Sequence, residues 1–158
     1  MASPLHLHAS RAVPVEVEAA YDRLLTLPLT ELMSRRYGLL PPVRSVREQS
    51  GPWGTVGQTR TLVLADGGTM RERLTEVVRP ERFDYVLTDF TGAFRPLVSH
   101  VDGSWAFAPE GTGVLITWSW TLHPTSTYAA GVLPVVGRMW RGYARQALEQ
   151  ASDVLLGR

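Results

Sequence analysis

Between Val43 and Leu122 the chain is built for hairpins and for little else. Apolar and β-branched residues recur in runs at 43–48, 58–65, 69–78, 83–89, 98–108 and 114–122, separated by short turn-forming connections. Asp66-Gly67-Gly68 suits positive φ, Arg79-Pro80-Glu81 is a proline-led turn, and Pro109-Glu110-Gly111 is another. Consecutive strands with connections this short pair antiparallel, since a parallel pair needs a crossover of a dozen residues or more.

The flanks complete the pattern. Leu5, Leu7 and Ala9 alternate with His6, His8 and Ser10, which predicts a first, half-buried strand ending near Pro14. Val17, Ala20, Tyr21 and Leu24 then recur at helical spacing up to Pro28. A second short helix is expected over 30–36, capped by Thr30 and ended by Gly38. After Pro124 comes a loop rich in Thr, Ser, Tyr and Gly, then a helix over 133–156. Its apolar stripe is Trp140, Ala144, Ala147, Leu148, Ala151 and Leu155, with Arg138, Arg141 and Arg145 on another face and Glu149 four residues beyond Arg145. The expected class is α+β: a curved antiparallel seven-stranded sheet around a long C-terminal helix, with two short helices after strand 1. A sheet that wraps one helix incompletely leaves an apolar cavity between them, and function is expected there.

Length and charge narrow the field. At 158 residues the chain is expected to form one domain over 1–158. A formal net charge of +1 without charge blocks gives no nucleic-acid footprint. No apolar run reaches the roughly 18 residues of a membrane span. The first residues lack the basic and apolar regions of a secretion signal, so a cytoplasmic protein without membrane insertion is expected. The sixteen basic side chains are all Arg, and Cys and Lys are absent, which excludes Schiff-base, thiolate, disulfide and Cys-metal chemistry. Acid–base work by Asp, Glu, His or Tyr remains. No cofactor is expected.

Several residues stand out. Strand 69–78 sets Met70, Glu72, Leu74 and Val78 on its more apolar face, against Arg71, Arg73 and Thr75. A carboxylate among apolar groups costs several kcal/mol unless paired or protonated, so Glu72 is a candidate unless a bulge turns it out or a rim Arg pairs it. Phe83, Tyr85 and Leu87 share a face, which makes Tyr85 a wall residue with a hydroxyl to offer or core with that hydroxyl satisfied. His100, the single histidine within the expected strand run, is either a proton carrier or structural. Ile116, Trp118, Trp120 and Leu122 form a broad apolar wall. Gly51, Gly54 and Gly57 resemble a phosphate loop in spacing, but a strand and not a helix follows, so they read as a flexible loop with Trp53 at its tip as lid or packing. His6 and His8 share one side of strand 1, yet no third ligand is indicated and no metal centre is expected. Ser and Thr show no nucleophile-elbow spacing.

The stretches Val56-Gly57-Gln58-Thr59-Arg60, Ala65-Asp66-Gly67-Gly68-Thr69 and Arg71-Glu72-Arg73-Leu74 resemble the START/Bet v 1-like (SRPBCC) superfamily, in its polyketide cyclase/dehydrase and lipid-transport branch. The resemblance spans nearly the whole chain and is similar in spacing to plant abscisic-acid receptors. It implies a helix-grip fold with a hydrophobic pocket. On it, Glu72 matches a pocket glutamate, His100 a pocket aromatic, Trp118 and Trp120 pocket positions of the last strand, and Arg60 a place near the mouth. The Leu-Pro of the receptors' gating loop and their pocket Lys are missing, so hormone sensing and phosphatase partnership are not implied.

The expected function is binding of a small-to-medium hydrophobic ligand, with polyketide cyclisation or dehydration by acid–base catalysis as the leading reading. Glu72, His100 and Tyr85 are the catalytic candidates. Trp53, Arg60, Leu74, Leu87, Trp118, Trp120, Met139, Trp140 and Tyr143 are the ligand-binding candidates. The rivals are a non-catalytic carrier or sensor of a lipid or other hydrophobic molecule and, less directly, a module whose cavity receives a partner's side chains. A monomer and a homodimer are both compatible with the sequence.

Overall fold

Seven antiparallel strands in the order β1-β7-β6-β5-β4-β3-β2 curl into a half-barrel around one long helix. The computed structural model describes residues 2–158. The strands are β1 (Leu5–Val13), β2 (Val43–Arg47), β3 (Thr59–Leu64), β4 (Thr69–Val78), β5 (Arg82–Thr88), β6 (Val98–Glu110) and β7 (Gly113–Pro124). Helices α1 (Val17–Thr26) and α2 (Leu29–Leu32) follow β1, a short 3₁₀ turn covers Gly92–Phe94, and α3 (Thr127–Leu155) closes the chain. This is the helix-grip architecture the element order predicts.

Every strand after β1 pairs with its sequence neighbour, while β1 pairs along its whole length with β7. The turns account for the register. Gly67 takes φ +91° while the Asp66 carboxylate accepts the Gly68 N–H at 2.8 Å, and this tight turn sets Arg60 opposite Glu72 across β3 and β4. The β6–β7 turn is displaced from the expected Pro109–Gly111 to Gly111-Thr112, because Glu110 still pairs with Gly113. β7 likewise runs past Leu122 to Pro124 and takes in His123.

The inner faces follow the period of two. Met70, Glu72 and Leu74 of β4, Phe83, Tyr85 and Leu87 of β5, and Val114, Ile116, Trp118 and Leu122 of β7 are buried, and Trp120 is half-buried. In β4 a register shift between Leu74 and Glu76 turns Val77, not Val78, toward the core, and it falls beyond Glu72. At one end of the sheet Tyr21 of α1 packs edge-on against Phe83 and Phe107 with ring centroids 5.7 and 5.4 Å apart, which fills that end solidly.

The helical segments differ from expectation in two places. The second helix is one turn, Leu29–Leu32, not 30–36: Met33 leaves helical geometry and its carbonyl accepts the Val43 N–H, drawing the chain into β2. Helix α3 begins at Thr127 rather than Leu133, because Ser126 caps it by accepting the Ala129 N–H at 3.0 Å. Pro134 is accommodated within it on the exposed side. Arg138, Arg141 and Arg145 are exposed, and Glu149 bridges Arg35 at 3.5 Å instead of Arg145.

Candidate functional site

Between the inner sheet face, α3 and the α1–α2 segment lies an apolar cavity. Leu62, Met70, Phe83, Leu87, Trp105, Trp118 and Trp120 wall it from the sheet, Trp140 and Tyr143 from α3, and Leu24, Leu27, Leu32 and Met33 from the α1–α2 side. Leu25, Leu29, Leu40, Pro41, Val43, Leu64 and Phe94 also line it. It is narrow, with a cavity volume of about 70 Å³. That is room for only a few waters at roughly 10–15 Å³ each.

Besides the indoles, four polar side chains reach this apolar wall: Arg60, Glu72, Tyr85 and Tyr143. The register that sets Arg60 opposite Glu72 puts both inside, at 6% and 4% exposure, and Arg60 Nε donates to Glu72 Oε1 at 2.6 Å. Glu72 is therefore both in the cavity wall and paired. Burial pushes its carboxyl above the ordinary carboxylate range, against the opposing pull of the Arg60 charge and hydrogen bond.

Behind Arg60 stands Trp53, with the guanidinium carbon 3.9 Å from the ring centroid. The Gly51–Gly57 loop that brings Trp53 there is tied down by one side chain. Gln58 Oε1 accepts from Gly54 and Thr55 N–H at 2.8 and 2.7 Å, and its Nε2 donates to the Ser50 and Pro52 carbonyls at 3.0 and 2.9 Å. The expected flexible loop is thus a pinned one, and Trp53 is a buried backing to Arg60, not a residue lining the cavity.

Tyr85 is the second polar centre. Its hydroxyl oxygen accepts the indole N–H of Trp118 at 2.7 Å and that of Trp120 at 2.8 Å. A phenol oxygen has two acceptor lone pairs and one donor proton, so both lone pairs are filled, and the proton finds no acceptor among the described residues. Burial raises the Tyr85 pKa, and the nearby Glu72 charge raises it further. The group is held as a neutral donor inside an apolar space.

His100 is not part of the site. Beyond the irregularity between Val98 and His100, the buried residues of β6 are Val101, Gly103, Trp105 and Phe107, so His100 and Asp102, of opposite parity, face the outer side of the sheet. The sequence itself carried that signal, in the alternation Val101, Gly103, Trp105, Phe107. The same alternation places Trp105 in the wall, a residue the sequence reading missed; its ring stacks on Trp118 with centroids 5.1 Å apart. Leu74 is fully buried behind the lining, and Met139 packs by Gly38, its sulfur accepting the Leu39 N–H at 3.3 Å. Neither borders the cavity. Tyr143 does, with its hydroxyl donating to the Pro41 carbonyl at 3.0 Å.

Residues 4–155 match the sequence profile of polyketide cyclase/dehydrase and lipid-transport proteins. The chain belongs to that family, within the SRPBCC superfamily. No curated protein matches it. Among solved structures, norcoclaurine synthase from Thalictrum flavum, in complex with dopamine and hydroxybenzaldehyde, superposes with a TM-score of 0.73 over 99% of this chain and 89% of that one, at 15% identity. Major latex-like protein 151 from Panax ginseng gives 0.72 over 95% and 96%, at 10% identity. DynU16, a protein of the dynemicin biosynthetic locus, gives 0.61 over 95% of this chain and 46% of that one, at 12% identity. At such identities the likeness speaks for the fold. Among the described residues no helix is long and apolar enough to cross a membrane.

Proposed function

We propose that this family member binds a compact, mainly apolar carbonyl compound in the cavity and catalyses an aldol-type cyclisation or dehydration by acid–base chemistry. The observation that carries this reading is the Tyr85 hydroxyl: with Trp118 and Trp120 filling both lone pairs, it has only a proton to give, and a ligand carbonyl oxygen is what would take it. Glu72, whose carboxylate burial makes more basic than an ordinary one, is suited to remove a proton from the carbon beside a carbonyl. The resulting enolate carbon attacks a second carbonyl, whose oxygen takes the Tyr85 proton. The phenolate left behind is stabilised by the two indole N–H donors and recovers a proton from Glu72. Loss of the new hydroxyl and an adjacent hydrogen as water completes a dehydration.

Arg60 would hold Glu72 in place and moderate its basicity, with Trp53 excluding water behind it. The narrow cavity favours orientation of a small or folded substrate over storage of a long acyl chain. The test is native mass spectrometry of the chain purified from its own cells, followed by return of any captured ligand to fresh wild type and to Glu72→Gln. A ligand changed by wild type and left intact by the variant establishes the enzyme. Release unchanged from both would make the chain a carrier and remove the catalytic assignment.

A further inference from the structure

All four histidines of the chain lie outside the cavity wall, and two of them converge with a carboxylate. On the outer sheet face His100 of β6 pairs with His123 of β7, and their rings stack with centroids 3.9 Å apart and planes 11° apart. Asp102, two residues along β6, brings Oδ2 to 2.8 Å from His123 Nε2. One nitrogen of each ring and one carboxylate oxygen all fall within 4.8 Å of one another. The sequence reading missed this grouping because it ended β7 at Leu122 and left His123 outside.

We propose that His100, Asp102 and His123 form a binding site for one divalent transition-metal ion. Two imidazoles and a carboxylate suit zinc, nickel or copper and not the harder magnesium or calcium ions. Metal–ligand bonds of about 2.0–2.2 Å require donors roughly 3–3.5 Å apart. Closing the distance from 4.8 Å would take side-chain rotation that also tilts the two stacked rings toward a common point, with the two strands already held in register. Asp102 and His123 have room to rotate, their side chains being 58% and 30% exposed, and the same exposure leaves coordination positions open to water.

The surroundings orient the donors. Ser99 Oγ lies 3.0 Å from His100 Nδ1 and donates to the His123 carbonyl at 3.1 Å, which occupies Nδ1 and leaves Nε2 of His100 for the ion. On binding, the His123–Asp102 hydrogen bond gives way to two metal bonds. The ion would tie the start of β6 to the end of β7, beside the point where the Thr125 N–H donates to the Leu97 carbonyl and next to the segment that carries Phe94 to the cavity. Its place is on the face opposite Tyr85, so its role is to brace the frame and not to act on a cavity ligand.

The test is calorimetric titration of the tag-free chain with zinc chloride alone, paired with thermal unfolding with and without zinc. One equivalent should bind and raise Tm. Removing even an outer-shell partner costs metal sites about 10–100-fold, so His100→Ala and His123→Ala should each weaken binding at least about tenfold and abolish the zinc-dependent rise in Tm. Both positions are outside the core, and circular dichroism of the metal-free variants verifies that they fold. His8→Ala should bind as wild type does. Absence of saturable uptake at one equivalent, uptake undiminished in the His100→Ala/His123→Ala double variant, or loss on replacing His6 and His8 instead would each overturn the proposal.

Discussion

Tyr85 lies against the backbone of Gly103: a Cβ built on that glycine would stand 2.1 Å from the ring's Cζ. The two residues face each other across β5 and β6, so the missing side chain in one strand is the space for the phenol in the next. Gly103→Ala must therefore expel the ring from its place and deprive Trp118 and Trp120 of their shared acceptor. Overpacking of this kind costs about 1–3 kcal/mol. Urea denaturation should report that loss, and it should shrink when Gly103→Ala is made in a Tyr85→Ala background, where no ring remains to clash. Equal losses in both backgrounds would show that the ring is not what the glycine accommodates.

Tyr85→Phe keeps the ring and removes only the oxygen. Two indole N–H groups are then left without an acceptor, and each unsatisfied buried group costs about 1–3 kcal/mol. The variant should lose roughly 2–4 kcal/mol in urea denaturation at unchanged m-value, and any activity on a captured carbonyl ligand should fall with it. Trp118→Phe should leave the Tyr85 oxygen with one lone pair open, making the phenol a possible acceptor as well as a donor. A Tyr85→Phe protein as stable as wild type would show that the indole groups find other partners.

Much of this site could be read from periodicity, because β4, β5 and β7 are regular where they line the cavity. Glu72, Tyr85, Trp118 and Trp120 fall on inward faces by simple alternation. The resemblance matches His100 to a pocket aromatic, but the alternation of Val101, Gly103, Trp105 and Phe107 within its own strand turns it outward. The partner of Glu72 depended on register, which the Asp66-Gly67-Gly68 turn fixes but which no single strand reveals. The pinning of the Trp53 loop by Gln58 and the narrowness of the cavity arise from side-chain packing between distant segments, which leaves no period in the sequence.

The contact of Gly142 with Tyr37 sets two opposing effects against each other. A Cβ on Gly142 of α3 would come 2.0 Å from Tyr37 Cζ, in the segment whose Tyr37–Leu40 bridge leads into the cavity wall at Leu40 and Pro41. Ala is worth about 1 kcal/mol over Gly inside a helix, while the clash costs about 1–3 kcal/mol. Gly142→Ala alone should thus be neutral to destabilising by about 2 kcal/mol. Added to Tyr37→Ala, the same substitution should stabilise by up to about 1 kcal/mol. Denaturant titration of the four proteins of that cycle decides it; a stabilising Gly142→Ala in the wild-type background would show that Tyr37 swings aside freely.

The buried pair of Arg60 and Glu72 predicts both a mutational and a pH signature. Removing one partner leaves the other charge uncompensated, so Arg60→Met or Glu72→Leu alone should cost about 3–5 kcal/mol, while the double replacement by apolar residues should be far less damaging. For pH, the carboxyl of Glu72 is raised in the folded protein. Between its unfolded value of about 4.3 and that raised value, the folded chain holds more of the proton than the unfolded chain does. Stability supplied by this group is therefore fully present below the unfolded value and falls as pH rises through the window, with a slope of at most about 1.4 kcal/mol per pH unit. Glu72→Gln, which cannot titrate, should remove that fall, so the stability difference between wild type and Glu72→Gln should drift against wild type as pH increases. Urea denaturation at successive pH values measures it. Parallel pH profiles for the two proteins would mean that Arg60 keeps Glu72 ionised throughout, and the raised basicity on which the proton-carrier role of Glu72 rests would fall with that result.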